Sequence, residues 1–256
     1  AEARPRAVEL IERVPVERSF VVAVSPVADA SGRGARPVAV LILRETSKER
    51  AIETIRVDFV ANASHELRTP LASVLGFIET LQGPARDDPA ARERFLTIMH
   101  QQASRMARLV DDLLSLSRIE LKEHIAPTET IDIGAIADQA ALTLSELARE
   151  RQVAIEVIRH TDDCAITGDR DELASVLDNL IENAIKYGHS GGRVEVGIAQ
   201  APGGRDIAVA VRDFGPGIAP QHLPRLTERF YRVDSALSRA EGGTGLGLAL
   251  VKHTIN

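Results

Sequence analysis

The stretch DNLIENAIKYG, residues 178 to 188, decides how this chain is read, because its polar residues recur with helical spacing. Asn179, Asn183 and Lys186 stand three or four positions apart, with Tyr187 alongside, so one helix face carries two carboxamides and a cation. Alone, that face is explained as well by water as by a ligand. The downstream sequence separates the two readings. DFGPGI, residues 213 to 218, puts an aspartate at the end of a strand and follows it with two glycines, which permit tight turns and close ligand approach. GGTGLGLAL, residues 242 to 250, places flexible glycines directly before an apolar helix, where free N–H groups can meet phosphate oxygens. Each glycine motif is weak by itself. The ordered set, spread across a mixed α/β unit, is a strong signal.

Working outward, that unit begins after APTET (126 to 130) with a helix over 132–150, strands near 152–159 and 164–167, and a helix over 170–187. VEVGIAQ (194 to 200) and DIAVAVRDF (206 to 214) flank APGGR, a turn of hairpin type. Upstream, Ile52, Ile55, Phe59, Ala63, Leu67, Leu71, Val74, Ile78 and Leu81 recur at three- and four-residue steps. QGPARDDP (82 to 89) breaks that stripe, and Phe95, Met99, Met106, Leu109, Leu113 and Leu116 form a second one. The pattern predicts an αα-hairpin, and two hairpins dimerising into a four-helix bundle would cover the apolar stripes. Before it, FVVAVSPV (20 to 27) and PVAVLIL (37 to 43) are β-branched runs joined by DASGRGAR (29 to 36), which suits an antiparallel pair belonging to a larger sheet.

Composition narrows the function classes. With 44% hydrophobic and 27% charged residues over 256 positions, the chain can bury a sizeable core. A net charge of −6, with arginines scattered among acids, argues against nucleic acid as a partner. One cysteine, Cys164, allows no internal disulfide. The apolar runs are too short to span a bilayer, so any membrane attachment would come from segments outside this sequence.

SHELRTPL (64 to 71), NLIENAIKY (179 to 187), DFGPGI, ERFYRVD (228 to 234) and GGTGLGL resemble, in order, the boxes of the bacterial sensor histidine kinases, with an overall look closest to the phosphate-regulon type. The resemblance spans residues 50 to 256. It implies an α+β chain: a phosphotransfer hairpin forming a dimeric four-helix bundle, then an α/β sandwich ATP-binding domain of the gyrase and heat-shock chaperone (Bergerat, GHKL-like) type. Residues 1–45 read as a partial segment like the end of a PAS domain, 46–126 as the dimerisation and phosphotransfer hairpin, and 127–256 as the catalytic domain. The resemblance further implies that strands completing that domain follow residue 256.

Asp58, Asn62, His65, Arg68 and Thr69 fall on a polar face opposite Phe59, Ala63, Leu67 and Leu71, so His65 is expected to project into solvent, where a neutral imidazole is a competent nucleophile toward phosphorus. Pro70 has no N–H for the carbonyl of Glu66, which predicts a local helix defect beside the histidine. By resemblance, Glu66 is the acid that polarises the other ring nitrogen, and Thr69 holds a water for removal of phosphate from the partner protein. Asn183, with Asn179 one turn earlier, resembles the magnesium ligand, Glu182 and Lys186 assist at the phosphates, and Tyr187 lines the same face. Asp213 resembles the carboxylate that receives the adenine amino group, with Gly215 and Gly217 shaping its pocket. Arg229, Tyr231 and Arg232 fall in a lid, where an arginine either neutralises the transferring phosphoryl group or faces solvent. Gly243, Thr244, Gly245, Leu246 and Gly247 form the phosphate loop.

The implied cofactors are ATP and Mg2+. The implied partners are a second copy of the chain and a response-regulator receiver domain. The implied location is the cytoplasmic portion of a protein anchored in the bacterial inner membrane. Two rival readings are a nucleotide-driven clamp that hydrolyses ATP to water, which gives no reason for SHELRTPL, and a degenerate scaffold, which His65, Glu66, Asn183 and Asp213 count against. Which protomer's His65 each ATP domain serves depends on the handedness of the QGPARDDP connection and stays open at this level.

Overall fold

The computed structural model describes residues 6–13, 18–27, 38–122, 126–204, 206–234, 238 and 241–255. The chain divides into two compact units, Ala1–Glu66 and Leu67–Asn256.

In the first unit, β1 (Arg6–Glu12), β2 (Arg18–Val27) and β3 (Val38–Glu45) form an antiparallel sheet in that order, pairing Leu10 with Phe20 and Val24 with Leu41. The two predicted strands are present, and β1 is an addition whose alternating RAVELIE is interrupted by Glu9 and Glu12. The connection DASGRGAR lies outside the described residues. The sheet passes into α1 (Ser47–Gln82), where Thr46 N–H donates to the Ser19 carbonyl at 2.7 Å and Ser19 N–H donates to Ser47 Oγ at 2.9 Å. Arg50 forms an ion pair with Glu9.

The second unit holds the remainder of α1, a turn over 83–88, and α2 (Pro89–Lys122). Asp88 caps α2 by accepting from the N–H groups of Ala90 and Ala91, both at 3.0 Å. Phe77 of α1 stacks on Phe95 of α2 with ring centroids 4.9 Å apart, which fixes the hairpin register. Leu71, Leu75, Leu96 and Leu114 stay about half exposed. Of these, Leu71 belongs to the predicted stripes, whose other described members are buried or half-buried, and Leu75, Leu96 and Leu114 lie outside them.

Beyond the hairpin come β4 (Thr130–Asp132), α3 (Ile133–Thr143), α4 (Ser145–Glu150), β5 (Ala154–Arg159), β6 (Ala165–Thr167), α5 (Arg170–Gly188), β7 (Arg193–Gln200), β8 (Ile207–Asp213) and α6 (Gly247–Ile255). The predicted single helix over 132–150 is two helices, broken at Leu144, whose N–H still bonds Ala140 while Ser145 Oγ–H turns back to the Leu142 carbonyl at 2.6 Å. Three-residue β4 pairs antiparallel with β6 and is too short to show periodicity. In the main sheet, β5 runs parallel to β7 and β7 antiparallel to β8. Val194, Val196 and Ile198 of β7 are fully buried beneath α3 and α5, where Ile136, Ala137, Leu177, Ile181 and Ile185 complete the core. That core positions the site: α5 must turn its apolar stripe inward, which turns Asn179, Asn183 and Tyr187 toward the opposite side.

Candidate functional site

Asp169 starts α5, its carboxylate accepting from the N–H groups of Asp171 and Glu172 at 3.1 and 3.2 Å, with two acids in the first turn where the helix dipole favours them. Nineteen residues later the helix ends at Gly188 against the start of the DFGPGI turn. A Cβ on Gly188 would run into the Asp213 side chain, and one on Gly215 would fall 2.6 Å from Gly188 Cα. The two glycines therefore allow α5 and the end of β8 to meet at backbone distance. Asp213 Oδ1 accepts from Gly215 N–H at 2.9 Å, which orients the exposed carboxylate. Gly217 holds φ +74°, so the second glycine is needed for backbone conformation. Phe214 lies between the guanidiniums of Arg193 and Arg212, 4.0 and 4.7 Å from its ring centroid, and Gly191 makes room for its backbone.

One turn back along α5, Lys186 is buried and bonded to Glu182 at 2.7 Å. Asn179 donates from Nδ2 to the Ser175 carbonyl at 2.8 Å, and its Oδ1 occupies the space a Cβ at Gly247 would need. The amide-rich helix and the start of α6 thus abut directly. Carboxamide and carboxylate oxygens such as those of Asn179, Asn183 and Glu182 are the hard donors that magnesium selects. Among the described residues no cluster of three or more His, Cys, Asp or Glu forms a metal cage, so a cation here would depend on these few ligands and on the phosphates it accompanies.

The glycine loop is held from several directions. Gly243 N–H donates to the Ser238 carbonyl at 2.8 Å, while Tyr187 donates its hydroxyl to Ser238 Oγ at 3.2 Å. Thr244 donates its hydroxyl to Asp112 of α2 at 2.6 Å and accepts from Leu246 N–H at 3.3 Å. Burial, opposed by that Thr244 bond and reinforced by Glu182, raises the Asp112 pKa above the ordinary carboxylate value. Phe230 N–H donates to the Gly245 carbonyl at 2.7 Å with Phe230 at φ +64°, and Arg232 Nη2 donates to the Thr244 carbonyl at 2.8 Å. Leu246 is fully buried, so its contribution to the loop is an anchor and a backbone.

The lid residues divide. Arg232 reaches the glycine loop, whereas Arg229 sits 3.4 Å from His253 Nε2, and the Tyr231 hydroxyl pairs with His222 Nδ1 at 2.6 Å beneath the Arg225 guanidinium. Along α1, Asp58, Asn62 and His65 are exposed and Glu66 half-buried in the first unit; Arg68 and Thr69 are exposed and Pro70 is buried within the helix in the second. Gly188, Gly191, Phe214, Ser238 and Asp112 take part in the arrangement without having been singled out in the sequence. Gly188 adjoins the amide-rich motif and was visible as a glycine. Ser238 and Asp112 carry no local signal.

Two family profiles match the chain: "His Kinase A (phospho-acceptor) domain" over residues 55–122 and "Histidine kinase-, DNA gyrase B-, and HSP90-like ATPase" over residues 168–256. The phosphate regulon sensor protein PhoR of Pseudomonas aeruginosa is 38% identical over 84% of this chain and 48% of the relative. The sensor-like histidine kinase SenX3 of Mycolicibacterium smegmatis is 38% identical over 85% of this chain and 56% of the relative. The chain therefore spans about half the length of these curated relatives. Among solved structures, the histidine kinase AdeS of Acinetobacter baumannii superposes with a TM-score of 0.57 at 26% identity, covering 75% of this chain and 85% of that one. A histidine kinase, ThkA, solved in complex with a response regulator, shares the fold at a TM-score of 0.59 and 20% identity, over 92% of this chain and 71% of that one.

Proposed function

We propose that this chain, which belongs to the sensor histidine kinases, moves the γ-phosphoryl group of ATP to His65 and then to an aspartate of a response-regulator receiver domain. The observation that carries the reading is convergence: Asn179 meets Gly247, Tyr187 meets Ser238 and Gly243, and Asp213 meets Gly188, so motifs far apart in sequence come together along α5. An imidazole nitrogen of His65 attacks the γ-phosphorus, the bond to the β,γ-bridging oxygen breaks, and ADP leaves. Glu66 accepts the proton of the other ring nitrogen. Asn183 and Asn179 would hold Mg2+ through their side-chain oxygens, and the ion would supply neutralisation of charge on the phosphates. Asp213 receives the adenine amino group beside Gly215 and Gly217, Lys186 and Glu182 support the phosphate side, and the glycine loop over residues 243–247 offers the N–H groups of Thr244, Gly245 and Gly247 to the polyphosphate.

The division into a sensory segment (1–45), a dimerising hairpin (46–126) and a catalytic domain (127–256) belongs to the same proposal. The half-exposed Leu71, Leu75, Leu96 and Leu114 are the surface a second hairpin covers in a homodimer. Among the described residues no helix is long and apolar enough to cross a membrane. By its likeness to the sensor kinases, this portion is proposed to be the cytoplasmic part of an inner-membrane sensor. Incubation with γ-labelled ATP tests the reading. An acid-labile, alkali-stable phosphoprotein that His65→Gln abolishes is expected. Release of free phosphate alone, or labelling that persists in the variant, overturns it.

A further inference from the structure

Arg151 and Glu241 lie 90 positions apart and form a two-point ion pair: Nη1 to Oε1 at 3.0 Å and Nη2 to Oε2 at 2.5 Å. Neither belongs to a recognised motif. Arg151 sits on a rigid support, as the C-cap of α4, where its N–H donates to the Leu147 carbonyl at 3.1 Å. The chain then reverses through Gln152 at φ +57° and returns Val153 N–H to Ala148, with both Ala148 and Val153 buried. Glu241, by contrast, is the residue immediately before the glycine loop, and Gly242 turns at φ +67° directly after it. Its side chain is 12% exposed, so its charge has little water around it.

A carboxylate in that position works against the loop's purpose. The N–H groups of Thr244, Gly245 and Gly247 gather negative charge, and an unpaired acid a few residues earlier would repel it. A bidentate guanidinium both cancels that charge and fixes the direction of the carboxylate, which a lysine could do only in part. We infer that Arg151 is a positioning residue for the polyphosphate: it aligns the entry to the glycine loop through Glu241 and holds that acid neutralised beside the phosphate site. The inference rests on the reading of residues 243–247 as a nucleotide site.

The test is Mg-ATP affinity of the whole 256-residue chain, measured by calorimetric titration at low salt and at about 0.5 M salt, with thermal melts alongside. Arg151→Ala is expected to weaken ATP binding about tenfold at low salt. The deficit should shrink to under about threefold at high salt, because the cause is an uncovered charge. Adding Glu241→Gln to Arg151→Ala should recover most of the affinity, since it removes the charge without restoring the pair, and Arg151→Lys should fall between. Unchanged ATP affinity in Arg151→Ala overturns the inference while leaving the nucleotide site standing. So does a loss that ignores salt and is not recovered by Glu241→Gln, the behaviour of a merely structural contact or of misfolding. A wild-type chain that binds no ATP overturns the nucleotide reading itself, and the inference with it.

Discussion

Thr244 of the glycine loop donates its hydroxyl to Asp112 of α2, 132 positions earlier, at 2.6 Å. The loop thereby touches the helical hairpin through a carboxylate, and the Asp112 pKa is raised chiefly by burial, with Glu182 and Asp111 adding to the rise and Arg108 and Thr244 opposing it. An ionised Asp112 beside a phosphate loop disfavours an incoming anion. Asp112→Asn keeps an acceptor for Thr244 and removes the charge, so Mg-ATP should bind about two- to fivefold tighter at neutral pH. As pH falls through the raised value the carboxyl takes up its proton and loses its charge, and because the Thr244 bond favours the ionised form, that contact weakens as the repulsion disappears. The advantage of the variant should therefore fade toward acid, and equal affinities at pH 7 would count against the repulsion.

Gly188 is expected to tolerate no side chain. Gly188→Ala gains helix propensity worth at most about 1 kcal/mol, less at the last residue of a helix. It also forces a methyl into Asp213, an overpacking that costs about 1 to 3 kcal/mol. Sterics should win. Thermal melts should show a lower Tm, and ATP titration a larger loss than the melt alone explains if the displaced Asp213 carboxylate receives adenine as proposed. Wild-type affinity in a well-folded variant would place adenine elsewhere.

Asp178 supplies a pH prediction of opposite use. Burial raises its pKa, with repulsion from Glu182 second. A raised folded-state value stabilises the fold below the ordinary carboxylate range, and that contribution is lost as pH rises through the shifted value. At neutral pH the ionised group is a mild burden, so Asp178→Asn should raise Tm by about 1 to 3 °C at pH 7 and by nothing at pH 3 to 4. A gain that is constant across pH would refute electrostatics as the cause.

Thr69 is one helical turn beyond His65 and exposed. Thr69→Ala should preserve phosphorylation of His65 and abolish dephosphorylation of a phosphorylated receiver domain. Both rates are to be measured on the same preparation, and equal phosphatase rates would remove Thr69 from that role.

The parts of this architecture that were legible in sequence are those with local causes. α5 announces itself through the helical spacing of its polar face, Asn179, Asn183 and Lys186, all within eight residues. The hairpin turn and the polar side of α1 around His65 follow from spacing in the same way. β4 and the break at Leu144 escaped because three residues cannot display a period, and because the break needs only one backbone bond to be rerouted. The residues that pin the glycine loop escaped for another reason. Asp112 and Arg151 meet their partners 132 and 90 positions away, and their own neighbourhoods read as ordinary solvated helix and turn. Glu241 had a signal, adjacency to the double glycine, but no local feature distinguishes a paired acid from an exposed one.

Gly188 carries a consequence for how nucleobase choice could change. Its contribution is a missing atom: the depth at which Asp213 sits is gauged by the thinness of the helix end behind it. Selection for an altered base need not touch any group that bonds the base. A methyl at position 188 would displace the Asp213 carboxylate, and if that carboxylate receives the base as proposed, variants with relaxed or shifted base preference should surface at this silent residue as well as at Asp213 itself.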